Sequence, residues 1–204
     1  MSADKLRIFQ IGFNKCGTRT IASFFAANGL RCAHWDGGKL AKAMFRNLAA
    51  GRSLVRGYEG FDVFTDMEFT PANGAAPLEA FRLYPQLAAE FPRALFLLNT
   101  RDREAWIQSR LGHRSARDNA YAKKWQRIYG VTDVDEVAAR WREEWDRHHE
   151  AVTAFFAASP YRFLVFNIET DPPELLARAL PELSLDVAKY QRRGSTNRIV
   201  SEPA

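Results

Sequence analysis

A turn near the start of the chain carries the residues of an anion-binding site. The apolar segment 6–12 predicts a strand, and a helical pattern begins near Gly17. Unpaired backbone N–H groups point outward at a helix N-terminus, the helix dipole adds partial positive charge, and glycine lets the main chain approach a ligand. We therefore expect the turn to hold a phosphate or sulfate group. The residues expected to form this cradle are Asn14, Lys15, Cys16, Gly17, Thr18, Arg19 and Thr20.

The position of the lysine distinguishes this turn from the loop of nucleotide kinases. The kinase pattern G-x-x-x-x-G-K-[ST] places lysine directly after the second glycine. Here Thr18 follows Gly17, and Lys15 lies inside the loop. The contacts of lysine with the β- and γ-phosphates and of the hydroxyl with Mg²⁺ would both be misplaced. A nucleotide or small-molecule kinase is therefore the alternative enzyme, and a catalytically silent nucleotide-binding module is the alternative without turnover.

A second pair of candidate phosphate ligands follows a later strand. Arg101 ends the apolar run 94–100, and Ser109 stands eight residues further on, two turns into the next predicted helix. A guanidinium forms charge-assisted, bidentate bonds to phosphate oxygens, and a serine hydroxyl adds a neutral donor. The alternative is a strand-end arginine that pairs with Asp102 or Glu104.

These two motifs together resemble the family of sulfotransferases that use 3′-phosphoadenosine 5′-phosphosulfate (PAPS), in its compact bacterial type. The resemblance implies that the Lys15 loop binds the 5′-phosphosulfate and that Arg101 and Ser109 bind the 3′-phosphate. It also implies that the tail element Arg192-Arg193-Gly194 closes over the 3′-phosphate. The family transfers the sulfuryl group by in-line displacement, with PAPS as co-substrate, no metal, and release of adenosine 3′,5′-bisphosphate.

A general base must lie within hydrogen-bond reach of the acceptor. Asp66 and Glu68 follow a predicted strand and are two residues apart, so both carboxylates are expected on one side of an extended segment. We expect Asp66 to be the base, with Glu68 second and His34 third. The alternative for Asp66 is a helix cap or a salt bridge to Lys15 or Arg19.

Composition indicates a globular enzyme with an anionic partner. The chain has 204 residues, a net charge of +5 and 47% hydrophobic residues, which suits one domain over 1–204. Basic residues are scattered and no nucleic-acid motif occurs, so we expect no nucleic-acid partner and a small-molecule or carbohydrate acceptor. Two cysteines without metal-ligand spacing and no apolar run of membrane-spanning length indicate a cytoplasmic protein. The oligomeric state and the identity of the acceptor do not follow from the sequence.

Alternating strand and helix patterns predict an α/β fold, a three-layer sandwich with a central parallel sheet and a topology like that of P-loop NTPases. The strands are expected near 6–12, 61–66, 94–100 and 161–167, and the helices near 17–28, 78–90, 102–110, 133–158 and 173–180. The segment 38–50 is expected to be a helix or a loop. The polar, basic segment 111–130 is expected to be a lid over the acceptor. Ligands bind at the carboxyl ends of such strands, which would bring Lys15, Asp66 and Arg101 together.

Overall fold

The structure, a computed structural model, describes residues 5–113 and 121–192. Within these ranges the strands are β1 (Ile8–Gln10), β2 (Cys32–His34), β3 (Val63–Thr65), β4 (Glu68–Phe69), β5 (Leu78–Glu79), β6 (Leu95–Thr100) and β7 (Arg162–Asn167). The α-helices are α1 (Thr18–Ala27), α2 (Lys39–Ala49), α3 (Tyr84–Glu90), α4 (Arg103–Leu111), α5 (Tyr121–Tyr129), α6 (Val134–Ala157) and α7 (Glu174–Ala179). Short 3₁₀ turns cover 36–38, 80–83, 181–183 and 187–189.

Five of these strands form one parallel sheet in the order β2-β3-β1-β6-β7. Side chains alternate between its two faces. Phe9 stacks on Phe64 at 4.9 Å between ring centroids on one face, while Ile8 packs with α1 and α7 on the other. Helices α3 and α6 cover the face that holds Phe9. The predicted fold class, α/β with a central parallel sheet between helical layers, is confirmed.

Two elements differ from the sequence-based expectation. Strand β2 was not among the predicted strands, because only three residues pair there, and it lies at the edge of the sheet. The expected helix 78–90 is divided: Leu78–Glu79 pairs antiparallel with Glu68–Phe69, a 3₁₀ turn follows, and α3 begins only at Tyr84. Pro85 lies in the first turn of α3, where its missing N–H has no helical partner to lose.

Helix α6 packs on the sheet through one stripe of side chains, as its spacing predicts. Trp141, Trp145, Val152 and Phe156 are all buried. His148 is buried in the same stripe and hydrogen bonds through Nε2 with the carbonyl of Ile11, 2.7 Å away. Its role is therefore to fasten α6 to the end of β1.

The expected lid at 111–130 includes residues 114–120, which lie outside the described ranges. Its second half is helix α5, whose Tyr121, Ala122 and Trp125 are buried against α4 and α6. No helix in the described parts of the chain combines the length and apolar character needed to cross a membrane.

Candidate functional site

The predicted anion-binding turn lies between β1 and α1, at the carboxyl end of the central strand. Lys15 and Gly17 both adopt left-handed backbone conformations, with φ of 64° and 74°. Gly17 precedes the first helical residue, and no side chain in the described ranges caps the helix there. The first-turn N–H groups of α1 are therefore available to an anion. A Cβ on Gly17 would stand 2.9 Å from Cγ2 of Ile168, so glycine is required for close packing as well as for its φ.

Asn99, a residue that sequence reasoning missed, holds this loop in shape. Its Oδ1 accepts the N–H of Gly12 at 3.0 Å, and its Nδ2 donates to the carbonyls of Phe13 and Cys16 at 3.2 and 2.8 Å. Asn99 is fully buried at the end of β6. Cys16 is buried too, and burial raises the pKa of its thiol, so only the backbone of Cys16 faces a ligand.

Lys15 is joined to a histidine that the sequence analysis did not single out. Its Nζ lies 2.7 Å from Nδ1 of His113, at the end of α4. Burial lowers the pKa of Lys15, and Arg19 and Arg110 lower it further, while Asp66 opposes them. Burial, together with Lys15 and Lys124, lowers the pKa of His113 to about 4. The neutral imidazole therefore accepts a hydrogen bond from the Lys15 ammonium.

Arg101 reaches the same loop from the end of β6. Its Nη1 donates to the carbonyl of Lys15 at 3.3 Å, and its Nη2 lies 2.5 Å from Oε1 of Glu169. The Nε of Arg101 is buried without a hydrogen-bond partner among the residues that the structure describes. The expected alternative pairing with Asp102 or Glu104 is not seen in these ranges, because the carboxylate of Glu169 from the neighbouring strand end takes that place.

The tail element is described only as far as Arg192. Arg192 donates from Nη2 to the backbone carbonyl of Glu169 at 2.5 Å, so Arg101 and Arg192 meet at one residue. Arg193 and Gly194 lie outside the described ranges. Ser109 is half-buried in α4.

The two candidate carboxylates do not share one side as expected. Asp66 has a left-handed φ of 53°, and the N–H of Glu68 donates to the Asp66 carbonyl at 2.8 Å, so the extended segment is interrupted by a tight turn. Burial, with a contribution from Glu68, raises the pKa of Asp66 to about 7 against the opposing charges of Lys15 and Arg19. Asp66 nevertheless keeps 21% of its side chain exposed.

His34 lies next to Asp66. Its Nε2 is 3.9 Å from Oδ2 of Asp66, and its Nδ1 is 2.9 Å from Oγ1 of Thr65. Burial and the nearby charge of Arg19 lower the pKa of His34, so the imidazole is neutral near pH 7. His34 is the last residue of β2, so the carboxyl end of that strand brings it to Asp66.

Glu68 is instead enclosed in a hydrogen-bond network around Arg110. Arg110 is 1% exposed; its Nε donates to Oδ1 of Asn14 at 3.0 Å, and its Nη2 lies 3.5 Å from Oε2 of Glu68. Tyr121 Oη donates to Glu68, and Thr70 Oγ1 donates to it at 2.7 Å. The network thus links the anion-binding loop, the segment after β3, and α5.

Arg110 is also surrounded by aromatic rings, with its guanidinium carbon 4.6–5.6 Å from their centroids. The rings are those of Phe13, Trp106, Tyr121, Trp125 and Trp141. Arginine is rarely buried without a partner, so composition gives no reason to expect Arg110 in the core. The sequence carries one sign of it: Arg110 is four residues after Trp106 on α4, which puts both side chains on the same face of the helix. Within the described ranges, no group of three or more His, Cys, Asp or Glu side chains could hold a metal ion.

Comparison with known proteins identifies the family. No curated protein matches the chain significantly. Among solved structures, the chain is similar to an unliganded sugar kinase from Janibacter sp. HTCC2649, with 15% identity, coverage of 92% of this chain and 98% of that chain, and a TM-score of 0.43. At that score the likeness carries no argument about function. The sulfotransferase domain family matches residues 7–177, and because this match spans most of the chain, the protein belongs to the sulfotransferase family.

Proposed function

We propose that the protein transfers the sulfuryl group of PAPS to a hydroxyl or amine acceptor and releases adenosine 3′,5′-bisphosphate. One observation carries the proposal. The loop expected to bind the 5′-phosphosulfate and the arginine expected to bind the 3′-phosphate are 86 residues apart in sequence, yet Arg101 Nη1 donates to the Lys15 carbonyl at 3.3 Å. Two neighbouring anion sites suit a nucleotide that carries phosphate groups on both its 3′- and its 5′-oxygen.

The donor site is proposed to use backbone and side-chain donors together. The uncapped N-terminus of α1, with Thr18, Arg19 and Thr20, would bind the phosphosulfate. Arg101, Ser109 and the tail arginines Arg192 and Arg193, with Gly194, would bind the 3′-phosphate. The Nε of Arg101, which has no acceptor among the described residues, supports this assignment, because leaving a buried guanidinium N–H without an acceptor costs free energy that a bound anion would recover.

The reaction is proposed to be an in-line displacement at sulfur. The acceptor oxygen forms a bond to sulfur while the bond from sulfur to the bridging oxygen of the 5′-phosphate breaks, and the acceptor loses its proton to a base. Lys15 would stabilise negative charge that develops on the bridging and sulfuryl oxygens. Its ammonium, held by neutral His113, is positioned for that purpose without a competing carboxylate in contact among the described residues.

Asp66 is the base that we favour. Its pKa of about 7 lets it exist as a carboxylate near neutral pH while retaining enough basicity to take a proton. Glu68 is less suited, because its Oε1 already accepts hydrogen bonds from Tyr121, Thr70 and Asn14, and its Oε2 lies 3.5 Å from Nη2 of Arg110. His34 is retained as an alternative base, since it contacts Asp66 and is neutral.

We further propose that residues 1–204 form one cytoplasmic sulfotransferase domain and that the segment 111–130 closes over the acceptor. The cysteines support a reducing compartment, because both are free. His113 lies within that segment and contacts Lys15, so the segment would also set the position of the lysine.

A ligand titration tests the proposal. Thermal unfolding is followed with adenosine 3′,5′-bisphosphate in one series and with ATP plus Mg²⁺ in another, since a ligand that binds the native state raises the melting temperature. We expect stabilisation by the bisphosphate, and loss of that stabilisation in Arg101→Gln. Stabilisation by ATP and Mg²⁺ alone would contradict the proposal in favour of a kinase. Transfer of ³⁵S from labelled PAPS to an acceptor mixture then separates an enzyme from a silent binding module.

A further inference from the structure

A groove beside α2 lies outside the proposed donor site, and one residue of its wall, Asp36, stands two residues after His34. Its volume is about 520 Å³. Basic and aromatic side chains supply most of its lining, namely Lys39, Lys42, Arg46, Arg56, Tyr58 and Phe61. Neither the donor site nor the proposed chemistry uses any of these residues, so the groove needs an explanation of its own.

The groove has an excess of positive charge. Four cations line it, and the carboxylate on its wall, Asp36, accepts a hydrogen bond from Tyr58 Oη at 2.7 Å and lies 3.8 Å from Nζ of Lys39. Arg46 and Arg56 are exposed and form no ion pair with any residue that the structure describes. Planar guanidinium groups match the geometry of carboxylates, and a concave surface of one sign concentrates ligands of the other. The groove therefore favours a carboxylate-bearing ligand.

Aromatic rings accompany these cations. The Tyr58 and Phe61 rings lie 5.6 Å apart along the groove. Trp35, directly before Asp36, is 49% exposed and has φ 55° and ψ −53°, a backbone conformation that a bulky residue rarely adopts. Strain of this kind concentrates at ligand sites. Ring faces next to polar groups suit a sugar, which offers apolar C–H faces between its hydroxyls.

The groove begins at the catalytic edge of the sheet. Strand β2 ends at His34, which contacts Asp66, and Asp36 on the groove wall is only two residues further on. Helix α2 then leads away from the base, and Lys39 and Arg46 on it are separated by about 10 Å along the axis at about 1.5 Å per residue. A ligand with one hydroxyl at Asp66 would therefore extend along the row of cations.

We propose that this groove binds the acceptor and that the acceptor is an acidic oligosaccharide whose carboxylates contact Arg46 and Arg56. The inference rests on the proposed sulfotransfer from PAPS, and it names the class of molecule that receives the sulfuryl group. One sugar ring would present its hydroxyl to Asp66, and the following rings would lie over Tyr58 and Phe61.

Binding of defined probes tests this proposal directly. Calorimetry compares tetragalacturonate with its methyl-esterified, uncharged form, and with hexaglutamate and hexathymidylate as anions without acidic sugars. We expect tetragalacturonate to bind at least about tenfold more tightly than each of the others, a difference typical of charge-assisted bonds combined with ring contacts. Equal binding of hexaglutamate or hexathymidylate, or equal binding of the ester, would overturn the proposal.

Charge-reversal variants locate the site. Arg46→Glu and Arg56→Glu should each weaken tetragalacturonate binding about tenfold or more. The matched control is Arg178→Glu on α7, an exposed arginine on the opposite side of the sheet, which should leave the affinity unchanged. An equal loss of affinity in all three variants would mean that the overall charge of the protein determines binding, and it would contradict binding in the groove.

Failure of this inference is distinguishable from failure of the proposed function. Binding of adenosine 3′,5′-bisphosphate is measured in the same variants and should be unaffected, because Arg46 and Arg56 are not part of the donor site. If the bisphosphate binds and tetragalacturonate does not, the acceptor class is wrong while the donor assignment stands. If neither the wild-type protein nor any variant binds the bisphosphate, the proposed function itself fails.

Discussion

Asp66 combines three properties that seldom occur together in a structural carboxylate. It has a left-handed backbone, it is largely buried near Glu68, and it lies beside cations of the anion-binding loop. The strained φ and the raised pKa both cost folding free energy, so the surrounding structure must maintain them. A residue held in this way at the carboxyl end of a strand is a good candidate for a proton acceptor.

Replacement of Asp66 by asparagine should reduce activity and increase stability together. The asparagine amide cannot accept the proton, and general-base removal typically lowers turnover about 10²- to 10⁴-fold. Because the folded-state pKa of Asp66 is raised, the wild-type native state binds more protons than the unfolded state between about pH 4 and about pH 7, and stability falls as pH rises through that window. The gain in free energy of unfolding in Asp66→Asn should therefore grow from about pH 4 to about pH 7, as measured by denaturant unfolding.

The pH dependence separates this explanation from a local backbone effect. Asparagine also tolerates a left-handed conformation better than most residues, which would stabilise the variant equally at every pH. A constant gain from about pH 4 to about pH 8 would thus contradict the raised pKa. In the wild-type protein, kcat/KM should rise with pH through about 7 as Asp66 loses its proton.

Lys15 is the second residue whose chemistry can be tested alone. Lys15→Ala should lower kcat by about 10²- to 10³-fold, the usual effect of removing one donor to a developing negative charge. The affinity for adenosine 3′,5′-bisphosphate should fall much less, because the uncapped helix and Arg101 remain. Lys189→Ala, an exposed lysine near the end of the described chain, is the control. A loss confined to nucleotide affinity, with kcat intact, would assign Lys15 to binding alone.

The sequence predicted these residues better than their neighbours. Asp66 and Arg101 directly follow strands, and Lys15 lies in the loop after β1, so local pattern and the carboxyl-end rule are enough to predict their positions. Asn99, Arg110 and His113 act through contacts with residues that are distant in the sequence, by 87, 42 and 98 positions in turn. The hydrophobic periodicity of the sequence does not predict such contacts, since they depend on how β6 and α4 pack against the loop.

At the scale of elements, the pairing of β6 with β7 determines which side chains lie next to Arg101 at the proposed donor site. Thr100 pairs with Asn167 at the end of the two parallel strands, so the residues that follow each strand, Arg101 and Glu169, are brought together. Glu169 Oε2 also accepts the N–H of Asp102 at 3.1 Å. The carboxylate of Glu169 therefore pairs with the guanidinium that we propose as a ligand of the 3′-phosphate, and it would compete with that phosphate.

Removal of the Glu169 charge should strengthen nucleotide binding. In Glu169→Gln the ion pair with Arg101 is weakened and repulsion of the 3′-phosphate disappears, while the side-chain shape is kept. The pair is partly exposed, so its contribution is of the order of 0.5–1 kcal/mol, or about two- to fivefold in the dissociation constant of adenosine 3′,5′-bisphosphate. Calorimetry measures this dissociation constant, and the control Glu174→Gln on α7 should leave it unchanged. Weaker binding in Glu169→Gln would show that Glu169 positions Arg101 instead of competing for it.

Helices α4 and α5 are joined to the loop through the buried pair of Arg110 and Glu68. Arg110→Met should destabilise the fold by about 3–5 kcal/mol, because it leaves the Glu68 charge buried without its cation. The double variant Arg110→Met with Glu68→Met should recover much of that loss, since both charges are then absent. Denaturant unfolding of the four proteins in the cycle gives the coupling. Additive losses in the double variant would mean that the two side chains do not interact.

The errors in predicting elements have a common cause. Strand β2 and the hairpin of β4 and β5 contain only two or three residues in each strand, too few for alternation to be recognised. Tertiary contacts determine them: β2 exists because its residues pair with β3, and Gly38 can lie against Phe69 only without a Cβ. The long helix α6, with 24 residues, carried its pattern over several turns and was predicted nearly to its ends.

At the scale of the whole molecule, several of the basic residues in the composition lie at one end of the sheet. The net charge is +5, and Lys15, Arg19 and Arg101 lie near the carboxyl ends of β1 and β6. The electrostatic field at that end should raise the local concentration of a polyanionic donor. Screening by salt should reduce the attraction most for the ligand with the most charge.

The dissociation constants of adenosine 3′,5′-bisphosphate and of 5′-AMP differ by the contribution of the 3′-phosphate, so their ratio measures how strongly the protein attracts that group. At about 50 mM salt the bisphosphate should bind at least about tenfold more tightly, because Arg101 and Arg192 contribute charge-assisted bonds that 5′-AMP lacks. The ratio of the two dissociation constants should narrow as salt rises toward about 300 mM, since partly exposed charges are screened over a shorter distance. Arg101→Gln should lower the ratio severalfold at either salt concentration and leave the part that Arg192 contributes, with the affinity for 5′-AMP little changed. A ratio near one already in the wild-type protein would mean that no site for a 3′-phosphate exists, and the assignment of PAPS as the donor would then be wrong.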